Sequence, residues 1–180
     1  AQDLFFDLLK ERAETGRIYI MNLDHCNSHS SFKDKVSMSN LCQEITLPTT
    51  PIQDIHDEQG EIALCILSAV NVGALNDLSE LENICDLSVR ALEQIIDYQD
   101  YPVKAAEVST KKRRSLGIGY IGLAHYLAKN GVKYSDPEAW TLVDRLSEAF
   151  QYYLLRASCD IAEEKGKCTA FERTKYTDGL

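Results

Sequence analysis

Residues 61–75, EIALCILSAVNVGAL, restrict the fold of this chain more than any other segment. The run is almost unbroken in apolar side chains. That pattern suits a strand buried on both faces, as in a parallel sheet or an α/β barrel. Its surroundings agree. Upstream, residues 3–14 carry a helical stripe of Leu4, Phe5, Leu8, Leu9 and Ala13, with Gly16 as a C-terminal stop, and RIYIMNL (17–23) reads as a short strand. Downstream, Ser79-x-x-Glu82 reads as a capping box opening a helix with Leu81, Ile84, Leu87, Ala91, Leu92, Ile95 and Ile96 on one side. Asp136-Pro137 begins a long helix with a face from Leu142 to Ile161, ended by Gly166. Strands alternating with helices give an α/β fold.

Between Asn22 and Asp57 the composition changes to Ser, Asn, Asp and His, with Pro48 and Pro51. An irregular segment of that length in a compact domain is usually functional. The whole chain has 180 residues and is 44% hydrophobic, enough for a packed core. Its net charge of −9 argues against a nucleic-acid polymer as partner. No apolar run is long enough to span a membrane. With no leader pattern and no CxxC among six cysteines, the expectation is a reducing cytoplasm and free thiols. The start at Ala1, directly into a helical pattern, suggests a piece of something longer.

Gly117, Gly119 and Gly122 stand at G-x-G-x-x-G spacing, the fingerprint of an NAD- or FAD-binding oxidoreductase, which is the alternative reading. That turn needs an apolar strand in front of it. Here the preceding residues are TKKRRSL, with four consecutive cations. The favoured expectation is that the glycines lie inside a short strand, LGIGYI, packed closely against a neighbour. KKRR itself (111–114) reads as a solvated face or loop. His25, Cys26 and His29 form a third candidate, a metal-binding or interaction module, but three close ligands without a fourth are weak support for zinc.

SNLCQEITLP (39–48) holds the residues that resemble chemistry. In an extended backbone Asn40, Cys42 and Glu44 share one side, successive members roughly 6–7 Å apart. A thiol with no cation nearby in sequence lacks support as a thiolate nucleophile. A neutral thiol can instead give up a hydrogen atom, with a carboxylate as base and an amide as hydrogen-bonding group beside it. Spacing alone leaves open a buried cysteine between two solvated polar neighbours.

SNLCQEI followed by LPT, then GEIALCILSAVN, DYQDYP, RRSLGIGYIGLAHYLA and YSD…EAFQYYLLRAS, resembles the catalytic subunit of class I ribonucleotide reductase over nearly the whole chain. The resemblance implies a ten-stranded α/β barrel, with residues 1–180 as its central part and no separate second domain. The finger loop would fall at about 22–60 and strand–helix units at about 61–180. It implies that Cys42 is the thiyl taking the ribose 3′ hydrogen, Glu44 the base on the 3′ hydroxyl and Asn40 the group holding the ribose hydroxyls. Residues Asn40, Leu41, Cys42, Gln43 and Glu44 would line the substrate. Cys65, expected within the buried strand, would be one member of the redox disulfide, its partner lying upstream of this chain.

The resemblance further implies the remainder of the catalytic subunit, a metal-containing small subunit supplying the radical, thioredoxin or glutaredoxin supplying electrons, and a ribonucleoside diphosphate substrate. No metal or cofactor is expected on this chain, and alone it is expected to be inactive. Cys85 and Cys159 are expected to be core or half-buried on helices, and Cys168 peripheral.

Overall fold

A computed structural model describes residues 1–179; Leu180, the last residue of the expected domain range, lies outside the described residues. The fold is mixed α/β. Helices α1 (Gln2–Thr15) and α2 (Leu23–His29) come first, followed by an irregular segment up to β1 (Ile66–Asn71). Helices α3 (Glu80–Tyr98) and α4 (Lys104–Arg113) then lead to β2 (Leu116–Ile121), α5 (Leu123–Lys129) and α6 (Pro137–Lys165). β1 and β2 pair in parallel, Ile66 opposite Leu116 and Asn71 opposite Ile121. The α3–α4 connection is the long crossover that parallel pairing requires.

The strand expected at 61–75 is shorter and less buried than its composition suggests. It runs only from Ile66 to Asn71, with a 3-10 turn at Val72–Ala74. Along it, side chains alternate between the two faces of the sheet. Ile66, Ser68 and Val70 face inward with Leu116, Ile118 and Tyr120, against α3 and α6. Leu67, Ala69 and Asn71 are exposed, Leu67 at 59%. The sheet therefore has one covered and one open face, because among the described residues helices pack on one side only.

The covered face is a well-packed core. Val70, Leu81, Cys85, Leu127, Leu146 and Phe150 are buried together, and Val89, Ala157 and Ile161 form a second cluster along the same helix pair. The Phe150 and Tyr120 rings meet nearly perpendicular at a centroid distance of 5.5 Å. Bidentate Arg90–Glu164 bonds and an Arg156–Glu82 bond join α3 to α6 at the surface. Such exposed pairs fix geometry more than they stabilise.

Several local expectations are corrected. RIYIMNL forms no strand, since no partner strand pairs with it among the described residues; Leu23 already belongs to α2. The Ser79–Glu82 capping box is not made. Ser79 hydrogen-bonds Asp77 instead, and Glu82 is drawn to Arg156. Asp136 does stand at the N-cap of α6 with Pro137 first in the helix, but its carboxylate accepts from the Lys133 backbone N–H rather than from the helix. Leu87 is exposed, and the buried stripe of α3 runs through Cys85 and Val89. Cys159 is exposed because it lies across α6 from the buried Ala157–Ile161 stripe. The α1 stripe, Leu4, Phe5, Leu8, Leu9 and Ala13, is exposed throughout, as is Phe6. No helix among the described residues is long and apolar enough to cross a membrane.

Candidate active site

The segment carrying Asn40, Cys42 and Glu44 is pinned at its base. The buried Arg113 guanidinium donates to Glu61 at 2.7 Å and to Asp34 at 3.0 Å, joining the two ends of the stretch between them. Lys112 also bonds Glu61, and Arg173 bonds Asp34. Burial works to raise both carboxyls, but the hydrogen bonds from these cations outweigh it and hold both below their ordinary range. Asn27 reads the buried Val36 backbone in both directions, accepting from its N–H at 2.8 Å and donating to its carbonyl at 2.9 Å. Thr50 and Glu61 exchange a pair of backbone bonds, and the Lys33 N–H donates to the Arg173 carbonyl. KKRR is thus the end of α4 with its C-cap Arg114, and a structural hub rather than a solvated run. Arg114, in the left-handed region at φ 48°, is held by Glu93 and Asp97.

The tip is not extended. The Gln43 N–H donates to the Asn40 carbonyl at 3.2 Å, closing a turn over 40–43, and Gln43 has φ 64°. The alternation that would place Asn40, Cys42 and Glu44 on one side therefore does not apply here. The cause is local. Asparagine is favoured at the first position of such a turn, and its side-chain oxygen also accepts from the Ile45 N–H at 3.0 Å. With that oxygen engaged, the Asn40 amide offers its Nδ2 as a donor. Asn40, Leu41, Cys42 and Glu44 are exposed and Gln43 is half-buried. Among the described residues no Lys, Arg or His side chain hydrogen-bonds the Cys42 thiol.

Cys65 lies one residue before β1 rather than inside it, and is half-buried. By the strand's alternation its side chain belongs to the open face, with Leu67. Burial pushes its thiol up, and the nearby Glu44 carboxylate adds to that shift. The fold therefore brings Glu44 of the turn within electrostatic reach of Cys65. All six cysteines are free thiols; Cys85, in the core, is pushed up to about 11 by burial, while Cys168 is half-buried.

The glycine motif has a different use from the one its spacing suggests. Gly117 and Gly119 lie within β2, as expected, so no phosphate-binding turn forms there. A Cβ at Gly117 would lie 2.5 Å from Leu67 Cδ2 and 2.8 Å from Cys65 Sγ. Gly122, at φ 81°, makes the tight passage into α5. The dinucleotide reading loses its structural basis. Helix α2 puts His25 and His29 on one face and turns Cys26 away. Among the described residues no group of three or more His, Cys, Asp or Glu side chains is placed to hold a metal ion.

Sequence reasoning missed the Asp34–Arg113–Glu61 clamp. Its one visible signal was a basic run too dense for an ordinary helix end in an acidic chain.

A sequence model of the family described as "Ribonucleotide reductase, barrel domain" matches residues 1–180. The ribonucleoside-diphosphate reductase subunit alpha of Buchnera aphidicola subsp. Schizaphis graminum is 57% identical over 179 residues, covering 98% of this chain and 24% of that protein. The subunit alpha of Haemophilus influenzae is 57% identical over 183 residues, and ribonucleoside-diphosphate reductase 1 subunit alpha of Escherichia coli K12 is 54% identical over 183; each alignment covers all of this chain and 24% of the relative. The chain thus spans about a quarter of the length of these relatives. A match running from the first residue to the last, with relatives above half identity on the same span, leaves one assignment: the chain belongs to the ribonucleotide reductase family, within its barrel domain.

Proposed function

We propose that this chain is the central part of a ribonucleoside-diphosphate reductase catalytic subunit. It carries the thiyl-forming cysteine of a reaction that converts ribonucleotides to deoxyribonucleotides. One observation carries the residue assignment: a pinned loop exposes Cys42 on a turn and brings Glu44 within electrostatic reach of Cys65 at the start of a parallel sheet. In the complete subunit the open face of that sheet is the inside of the ten-stranded barrel, the segment at about 22–60 is its finger loop, and residues 61–180 supply strand–helix units.

The chemistry follows from the side chains. Cys42, as a thiyl, takes the 3′ hydrogen of a ribonucleoside diphosphate. Glu44 accepts the proton of the 3′ hydroxyl, and the Asn40 Nδ2 donates to a ribose hydroxyl oxygen. Residues Leu41 and Gln43 complete the substrate-facing turn. The 2′ hydroxyl leaves as water. Cys65 and a second thiol outside these residues supply two electrons and two protons as their disulfide forms, and Cys42 returns a hydrogen atom to C3′. The radical reaches Cys42 from a metal-containing small subunit, and thioredoxin or glutaredoxin re-reduces the disulfide. The exposed α1 and open sheet face are covered by the remainder of the subunit, in the cytoplasm.

The test is deoxyribonucleotide formation by the assembled subunit with its radical-supplying partner. Cys42→Ser should reduce product to background while substrate binding persists. Product at the unsubstituted rate would refute the assignment.

A further inference from the structure

No part of the reaction above uses the glycine motif, and Gly117 is its member closest to Cys65. The Gly117 backbone does not need glycine, since it is absent from the residues with positive φ. Glycine inside a strand is itself unfavourable by about 0.5–1 kcal/mol relative to alanine, so its place in β2 calls for a reason of space. That reason is visible. The position a Cβ would take is 2.8 Å from Cys65 Sγ, well inside the roughly 3.5–4.0 Å at which non-bonded heavy atoms rest. Gly119, on the same face two residues on, has nothing within 4 Å of its Cβ position. Of the two glycines inside β2, only Gly117 makes this close approach.

We propose that Gly117 is a positioning residue for the Cys65 thiol: its missing side chain is the seat in which Sγ rests on the open face of the sheet. The inference rests on Cys65 being a redox thiol. In that role Cys65 and its partner thiol lose two protons and two electrons to form a disulfide, and the electrons pass to the ribonucleotide as water departs. Disulfide geometry tolerates little displacement; Cα separations and sulfur torsions outside a narrow range make the bond more reducible. A methyl group in the seat moves Sγ, and the disulfide then forms with poorer geometry.

The experiment uses the assembled subunit equilibrated in glutathione buffers of graded redox poise. The oxidised fraction of Cys65 is read by differential alkylation and mass spectrometry of its peptide. Gly117→Ala should make the Cys65 disulfide more easily reduced by about tenfold in equilibrium constant, equivalent to about 30 mV for a two-electron couple. Gly119→Ala should shift it by less than about twofold, since that Cβ meets nothing in this chain. If Gly117→Ala folds poorly, adding Leu67→Ala removes the 2.5 Å contact with Leu67 and keeps the one with sulfur, so the shift should persist in the double variant. An unshifted equilibrium in a folded Gly117 variant would overturn the proposal and leave the redox role of Cys65 standing. Cys65 that stays reduced in the unsubstituted protein during turnover would remove both.

Discussion

Replacing Arg113 with Gln should destabilise the protein by about 2–4 kcal/mol. Its guanidinium is buried, bonds two carboxylates on opposite ends of the site-bearing loop, and lies over the Phe32 ring at 5.5 Å. Removing one partner of a buried ion pair costs about 3–5 kcal/mol, because a charge is left behind without compensation. Two features lower that figure here. Glu61 keeps Lys112, and Asp34 keeps Arg173, so neither carboxylate is abandoned. Arg113 Nη1 also has no hydrogen-bond partner, a standing cost of about 1 kcal/mol that the substitution removes. In urea, with a slope of about 2 kcal/mol/M, the midpoint should fall by about 1–2 M.

The loss should depend on pH with a definite sign. Asp34 and Glu61 titrate below their ordinary values of 3.8 and 4.5 in the folded protein. Their contribution is full above those values and disappears as pH falls through the lowered folded ones. The gap between the native protein and the variant should therefore narrow in acid. A double cycle with Glu61→Gln should show the two changes costing less together than their sum. A loss under about 0.5 kcal/mol at pH 7, in the range of ordinary surface changes, would refute the clamp. So would a gap that stays constant down to pH 3.

Two other expectations are simpler. Glu44→Gln should lower the pH at which Cys65 becomes reactive toward iodoacetamide, because the carboxylate now helps to keep the thiol protonated; an unchanged alkylation profile would separate the two side chains. Leu146→Ala, at a fully buried position of the main core, should cost about 2–5 kcal/mol in the same urea assay, and a loss below about 1 kcal/mol would mean that α6 is packed less tightly than it stands here.

How far the sequence foretold the molecule differs by element. The long α6 was legible because its apolar stripe recurs over many turns and its ends carry Asp136-Pro137 and Gly166. β2 was legible through the failure of a rival: four cations cannot form the buried strand that a dinucleotide turn needs. α4 was not, because KAAEVSTKKR has almost no apolar face and is held by ion pairs that only the fold brings together. The extended tip was misread because alternation requires an extended backbone, and nothing here holds the chain extended. Between Ser39 and Ile45 there is no partner strand, and Asn40 supplies a turn from its own side chain. Cys65 was found by resemblance alone. Its closeness to Gly117 depends on strand register and could not be read from spacing.

The account stands on sulfur at position 42 taking hydrogen from carbon 3′ of a ribose. The direct measurement is turnover of a ribonucleoside diphosphate carrying deuterium at C3′ by the assembled enzyme. The account predicts slower product formation than with hydrogen, and no product from either substrate once Cys42 is serine. Equal rates for the two substrates, together with turnover that survives the loss of that sulfur, would contradict it.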